Sequence, residues 1–341
     1  MVGELGNGTT ATWGGLSHPA ALSSGVTMIS GSQSAEHYDH TCAVVSGAAL
    51  CWGGNNFGEI GDGTMIGRPS PTQVLGLTSG VLEIGVGWAH TCALLSTGAV
   101  QCWGANASGE LGDGTTNPSP TPVPVSGLTT GVTAIAVGGN FSCALLGAEG
   151  AVRCWGDNTV GSLGDGTTTM RLVPTPVSGL TSGVTNVSAG NGHACATVGE
   201  TTKCWGYNIS GQTGPTSNLP SCYATNPCNT VPVMMPQLTS GVASSIAAND
   251  AACAILTTGG VACWGRNLYG KLGDGTTIDS PDPVQVADFT SGVTSIGIGY
   301  RSGCAVRDES IYCWGDGFYG NVLGGSISGS TLTPVLVQPW Q

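Results

Sequence analysis

Short apolar stretches alternate with glycine-rich polar segments along the whole chain, and the segment from Gly80 to Val125 displays the pattern clearly. Val81 to Val86 alternates apolar and small residues, and Thr91 to Leu95 is a second short apolar run. Ser96-Thr97-Gly98 has the composition of a tight turn, and Ala99 to Trp103 forms a third run. After a glycine-rich loop, Thr121-Pro122-Val123-Pro124-Val125 makes a fourth. Runs this short, bounded by turn residues, predict β-strands. Proline has no N–H for a ladder, so the fourth strand belongs at a sheet edge. No apolar period of about 3.6 residues is sustained between helix caps, so helices are expected to be nearly absent.

The same unit returns throughout. Cys-Trp-Gly occurs at Cys51, Cys102, Cys154, Cys204, Cys263 and Cys313, in steps of 51, 52, 50, 59 and 50 residues. Gly-x-Leu-Gly-Asp-Gly-Thr or a near variant starts at Gly58, Gly109, Gly161 and Gly270, with degenerate copies at Gly3, Gly211 and Gly320. Gly-Leu-Thr-Ser-Gly-Val or a variant precedes each new unit. Four strands repeated every ~50 residues are the signature of a β-propeller, and a sandwich would lack this strict repetition. The expected fold is all-β: a single propeller domain spanning 1–341, with six complete four-stranded blades and a partial seventh. The partial blade is the orphan fourth strand Ser17 to Leu22, and an insertion at 213–230 lengthens one repeat.

Three motifs carry a family resemblance: His90-Thr91-Cys92-Ala93-Leu94, Trp103-Gly104-x-Asn106 and Gly109-Glu110-Leu111-Gly112. With them the chain resembles the regulator-of-chromosome-condensation repeat family over essentially its whole length. The resemblance implies a propeller, commonly of seven blades, so a shortened seven-blade parent is expected. It also implies a binding role, because intracellular members act on small GTPases and secreted bacterial relatives include β-lactamase inhibitor proteins.

The cysteines add a compartment. Cys42 with Cys51, Cys92 with Cys102, Cys143 with Cys154, Cys195 with Cys204, Cys253 with Cys263 and Cys304 with Cys313 each flank the turn between the second and third strands. Opposed residues of a hairpin lie within disulfide reach. Cys222 with Cys228 makes a seventh pair inside the insertion, and all 14 cysteines are used. Zinc would need four ligands together, whereas these pairs fall in separate repeats. Such a disulfide set points to a secreted, periplasmic or cell-surface protein. A net charge of −12 with 8% charged residues disfavours nucleic acid and anionic membrane surfaces. No apolar run approaches the ~20 residues of a membrane span. Met1 to Gly6 reads like the middle of a repeat, so a mature or shortened chain is expected.

No catalytic or cofactor motif is visible, and no metal or cofactor is expected. His40, His90 and His193 share one register position, which Phe141, Ala251 and Ser302 fill elsewhere, so they are read as structural. Asp62, Asp113, Asp165 and Asp274 are read as turn residues rather than calcium ligands, because each loop offers one carboxylate. The Cys-Trp-Gly tryptophans are read as blade packing rather than as ligand platforms.

The loops differ more than the strands. First-to-second loops carry Tyr38, Trp88, Phe141, Tyr300 and Arg301; third-to-fourth loops carry Phe57, Tyr207, Tyr269, Phe318, Tyr319 and the insertion with Tyr223. The turns and linkers at the other strand ends are monotonous. Varied aromatic loops on a rigid scaffold suit recognition. The expected binding residues are Tyr38, Trp88, Phe141, Tyr269, Tyr300, Arg301 and Tyr319, facing a protein or glycan partner. The alternative is a structural surface or filament subunit that self-assembles by strand sharing. A guanine-nucleotide-exchange role fits poorly with the disulfides and acidic charge, and an enzyme has no visible site.

Overall fold

Each Cys-Trp-Gly repeat folds into one four-stranded antiparallel meander, because its apolar runs are short, turn-bounded and joined in order. The computed structural model describes residues 22–32, 39–147, 149–216, 220–222, 225–317 and 330–337. Sheet 1 holds β1 (Val26–Gly31), β2 (His40–Val45), β3 (Ala48–Gly53) and β4 (Arg68–Gln73). Sheet 2 holds β5 (Val81–Val86), β6 (His90–Leu95), β7 (Val100–Gly104) and β8 (Ser119–Pro124). Sheet 3 holds β9 (Val132–Val137), β10 (Phe141–Leu146), β11 (Ala151–Gly156) and β12 (Arg171–Pro176). Sheet 4 holds β13 (Val184–Ala189), β14 (His193–Val198), β15 (Thr201–Tyr207) and β16 (Cys228–Met234). Sheet 5 holds β17 (Val242–Ala248), β18 (Ala251–Leu256), β19 (Val261–Gly265) and β20 (Ser280–Gln285). Sheet 6 holds β21 (Val293–Ile298), β22 (Ser302–Arg307), β23 (Ser310–Gly315) and β24 (Thr331–Leu336).

The fold class is thus an all-β propeller of six four-stranded blades. Most of the orphan strand that would begin a seventh, Ser17 to Leu22, lies outside the described residues. The chain divides into two compact units, Met1–Asn158 with Thr169–Val177, and Thr159–Thr168 with Ser178–Gln341. Sheets 1 to 3 belong to the first and sheets 4 to 6 to the second. Among the described residues no helix is long and apolar enough to cross a membrane.

The core lies between consecutive sheets within each unit. Val44, Ala49 and Ile60 of the first repeat pack with Val81, Ile84 and Trp103 of the second. Ile255, Val261 and Leu272 of the fifth pack with Val293, Ile296 and Trp314 of the sixth. The glycine-rich loop of one repeat reaches onto the next sheet, and the Cys-Trp-Gly indole fastens it there. Trp103 Nε1 donates to the Glu59 carbonyl at 2.8 Å, and Trp155 Nε1 to the Glu110 carbonyl at 2.8 Å. Trp205, Trp264 and Trp314 donate likewise to Ser162, Gln212 and Lys271 at 2.9, 3.0 and 2.7 Å. A register shift between Cys102 and Gly104 falls at the tryptophan, where a bulge re-aims a side chain. Gly112 must be glycine: its φ is +64°, and a Cβ there would sit 2.8 Å from the Trp155 ring.

The loop itself is built on a buried asparagine. Asn106 Nδ2 donates to the Thr115 and Asn117 carbonyls, and its Oδ1 accepts from Leu111 N. Asn55 and Asn267 repeat the arrangement. The Asp residues act as turn formers. Thr64 N and Oγ1 donate to Asp62 Oδ1 at 2.9 and 2.7 Å, and Asp113, Asp165 and Asp274 accept the same two bonds.

All seven expected disulfides form, and none of the cysteines is free. Cys92 lies directly opposite Cys102 in the β6–β7 ladder, with Cα atoms 4.1 Å apart. Opposed non-hydrogen-bonded strand residues approach this closely, which explains why the pair repeats in every sheet.

Candidate functional site

In every sheet the loop before the second strand is tied to the end of the third by one backbone bond. The residue after Trp-Gly donates its N–H to the last residue of the first-to-second loop. The pairs are Gly54 to Asp39, Ala105 to Ala89, Asp157 to Asn140, Tyr207 to Gly192, Arg266 to Asp250 and Asp316 to Arg301, at 2.7–2.9 Å. Glycine in the tripeptide permits this approach, since a Cβ on Gly104 would lie 2.5 Å from the Ala89 carbonyl oxygen. The bond therefore places two variable side chains together at a fixed spot in each sheet.

In sheets 5 and 6 that spot holds opposite charges. Arg266 Nη1 meets Asp250 Oδ2 at 2.8 Å, and Arg301 Nη1 meets Asp316 Oδ2 at 3.0 Å. The order is reversed between the two: the loop supplies the acid in sheet 5 and the base in sheet 6. Arg301 also stacks on tyrosine, with its Cζ 4.8 Å from the Tyr269 ring centroid and 5.8 Å from that of Tyr300. Cation–π contact and ion pairing together fix a side chain that is otherwise long and mobile. Tyr269 adopts a φ of +68°, which turns it out of the short 3-10 segment Leu268–Gly270. Tyr300 remains 38% exposed, and Arg266, Tyr269 and Arg301 are half-buried.

A buried layer lies beneath. Lys271 is buried, and burial pushes its ammonium down, while the Asp250 and Asp279 carboxylates oppose this. His193 is buried too, and burial holds its imidazole down to about 4, against the pull of Asp250. The Asp250 bond to Arg266 holds that guanidinium further toward its charged form, with Tyr300 and Asp279 contributing. Among the described residues no three His, Cys, Asp or Glu gather as a metal would require.

The first unit carries different chemistry at the same spots. Ala89 meets Ala105, and Asn140 meets Asp157. This unit also carries two buried histidine contacts. His40 Nε2 lies 2.8 Å from Thr91 Oγ1, and His90 Nε2 lies 2.9 Å from Ser142 Oγ, each joining consecutive sheets. Burial, with His40 adding, holds His90 down to about 3.

The expected binding residues are distributed unevenly. Arg301, Tyr269 and Tyr300 converge on one cluster. Trp88 is half-buried in the first unit, with its N–H donating to the Gly139 carbonyl at 2.9 Å. Phe141 opens β10 and is 1% exposed, so its ring packs inward and offers no surface. Tyr38 and Tyr319 lie outside the described residues. Asp250, Arg266 and Asp316 were not singled out from sequence; the signal that finds them is opposite charge at two repeat positions tied by one bond. A shallow cavity of about 400 Å³ in the second unit lies at the other strand ends, lined by Leu238, Leu256, Thr257, Pro283 and Gln285 among others, with no charged residue.

Comparison with known proteins follows the repeats. The family model described as the regulator of chromosome condensation (RCC1) repeat matches residues 46–94, 97–145, 149–197 and 258–306, and a second RCC1 repeat model matches 81–110 and 132–162. The chain is 28% identical over 291 residues to the Ultraviolet-B receptor UVR8 of Arabidopsis thaliana, covering 83% of this chain and 64% of that protein. It is 29% identical over 292 residues to the human E3 ubiquitin-protein ligase HERC2, covering 82% of this chain but 6% of that protein. Among solved structures it is similar to Prp20p of Saccharomyces cerevisiae, described with its binding to Gsp1p and histones. There the TM-score is 0.74 at 22% identity, over 88% of this chain and 75% of that one. Human WBSCR16 gives a TM-score of 0.76 at 19% identity, over 93% of this chain and 83% of that one. At these identities the structural likeness concerns the fold.

Proposed function

The chain belongs to the regulator of chromosome condensation repeat family, and from that premise we propose that it is a secreted or cell-surface binding module. Its 341 residues act as one repeat array, and it recognises a protein or glycan partner through the loops around Arg301. The observation that carries this reading is the Arg301 clamp. A half-exposed guanidinium held by Asp316, stacked on Tyr269 and flanked by the exposed Tyr300, is a pre-ordered anchor. Arginine and tyrosine held rigid before contact are the residues from which binding hot spots are made. A protein partner has support from relatives, since Prp20p is described as binding Gsp1p and histones. The seven disulfides without a free thiol favour an oxidising compartment.

The test is retention of extracellular proteins and glycans on the immobilised chain, compared with Arg301→Ala, Tyr300→Ala and the opposite-loop variant Thr97→Ala. A species held by the parent and Thr97→Ala, but released from both other variants, supports the reading. Equal retention on all four surfaces refutes it.

A further inference from the structure

The third-to-fourth loop opens on one turn, Asn-x-x-Gly, at Asn55, Asn106, Asn158, Asn208 and Asn267. The N–H groups of Gly58, Gly109, Gly211 and Gly270 donate back to the first carbonyl of their turns, at 3.4, 3.1, 3.3 and 2.9 Å. The residue after the glycine is buried each time: Glu59, Glu110, Ser162, Gln212 and Lys271. Glu59 and Glu110 use a carboxylate oxygen to accept the N–H two residues back, from Phe57 and Ser108, both at 2.8 Å. Gln212 accepts from Ser210 with its amide oxygen at 3.0 Å. Phe57, Ser108 and Ser210 keep negative φ, as the third residue of a type I turn does.

Sheet 5 departs at both positions. An ammonium has no lone pair, so Lys271 cannot accept the N–H of Tyr269. Tyr269 itself has a φ of +68° and a ψ of +11°, the values of the third residue in a type II turn. Between the two types the middle peptide turns over. This carries the N–H away from the buried side chain and moves the Cβ to the other side of the turn. That conformation suits glycine, and a tyrosine holds it against strain. Ser162 separates the two causes that could act. Its hydroxyl donates to the Gly192 carbonyl at 3.1 Å and accepts nothing from Val160, yet Val160 keeps a negative φ. Loss of the acceptor therefore leaves the peptide as it was. A positive charge, which repels an N–H dipole pointed at it, turns the peptide over. The Asp250 and Asp279 carboxylates favour the charged form of Lys271 against the effect of burial.

We infer that Lys271 is a positioning residue of the Arg301 clamp: its ammonium turns the Leu268–Tyr269 peptide over and so carries the tyrosine ring to the guanidinium. The ring centroid then lies 4.8 Å from Arg301 Cζ, while Asp316 Oδ2 holds Arg301 Nη1 at 3.0 Å. Lys271 belongs to the fifth repeat and Arg301 to the sixth, so a residue buried in one repeat sets the surface chemistry of the next. This role rests on the reading of the cluster as the binding site. It makes a buried lysine, which meets no partner, a determinant of affinity.

Two variants test this: Lys271→Gln copies Gln212, and Lys271→Met removes the charge without supplying an acceptor. NMR of the 15N-labelled chain reads the result at the Arg301 Nε–Hε signal, assigned by its loss in Arg301→Lys and shifted in the parent by the Tyr269 ring. In both lysine variants this signal is expected to move to where Tyr269→Leu puts it. Melting temperatures are expected to hold or rise, because strain at Tyr269 is released; should one lysine variant fail to fold, the other carries the test. Affinity for the retained partner is expected to fall by the same factor in Lys271→Gln, in Tyr269→Leu and in the double variant, because the lysine acts through the tyrosine. An Arg301 signal that stays at its parent position in the lysine variants overturns the inference. So does a double variant that binds more weakly than either single one, since Lys271 would then act by another route. A signal that moves while the partner binds as before supports the role of Lys271 and counts instead against the cluster as the binding site.

Discussion

The loops of sheets 2 and 3 and those of sheets 5 and 6 are held by the same backbone bond yet present different chemistry. At that bond the first unit sets Ala89 against Ala105, and the second sets Asp250 against Arg266 and Arg301 against Asp316. Beneath it, His90 Nε2 in the first unit meets the hydroxyl of Ser142 in the next sheet, whereas Ala252, at the same register position in the sheet after His193, has no hydroxyl. The indole bond, the asparagine hub and the disulfide are common to both units. What the repeat preserves is therefore the scaffold, and what it leaves free is the pair of side chains the scaffold brings together.

The largest effects belong to the shared scaffold. Trp103→Ala and Trp264→Ala each remove a buried ring and the indole bond that fastens a loop carbonyl. Denaturant unfolding is expected to give losses of about 3–5 kcal/mol in both units. A much milder loss for Trp264→Ala would break the equivalence on which the comparison rests.

Acid separates the two units next. Unfolded imidazoles take up a proton below pH 6.5, while His193 does so only near 4 and His90 only near 3. The unfolded state binds more protons in that window, so their contribution is complete above pH 6.5 and is lost as pH falls through 4. Burial pushes the carboxyls of Glu59 and Glu110 up, which acts in the opposite sense. The difference between the parent and His193→Phe isolates the histidine, and Phe141 already fills that register position. The variant is expected to be less acid-sensitive between pH 6.5 and 4; parallel stability curves would refute the buried neutral imidazole.

At the loop face, Tyr300→Ala is expected to weaken partner retention by about 2 kcal/mol, with little change in melting temperature. Trp88→Ala sharpens the contrast between units. An equal loss there would extend the recognition surface into the first unit, and a fall in stability alone would assign Trp88 to packing. Smaller still is Ala252→Ser, which offers His193 the hydroxyl that Ser142 gives His90. A gain of about 1 kcal/mol in unfolding free energy is expected, and a loss would mean that the space is already filled.

Much of this was legible in the sequence because each feature is repeated. Six cysteine pairs at one register could only be cross-strand neighbours, and Asp62 and its equivalents bond their own turns as their Gly-Asp-Gly-Thr setting implies. Features that link one repeat to the next were not legible. Trp103 to Glu59 and His90 to Ser142 join residues 44 and 52 apart, and the first uses a main-chain carbonyl that carries no side-chain signal. Phe141 was misleading for a local reason. It follows a loop, but it is already the first residue of β10, on the inward side. The Arg301 cluster was half legible: its aromatics mark the loops, but its carboxylate partner lies at the end of another strand.

Exchanging the two charges of sheet 6, Arg301→Asp together with Asp316→Arg, tests the central claim most directly. Sheet 5 already carries an acid in the loop and a base at the strand end, so the exchanged pair has a natural counterpart on the same scaffold. Asp316 is buried and Arg301 half-buried, but sheet 5 seats the same pair in the reverse order, so the melting temperature is expected to hold. The guanidinium, however, leaves its seat on Tyr269. The measurement is the affinity of the retained partner for the exchanged chain. Loss of binding with an unchanged fold is the predicted result, and binding equal to that of the parent would contradict it.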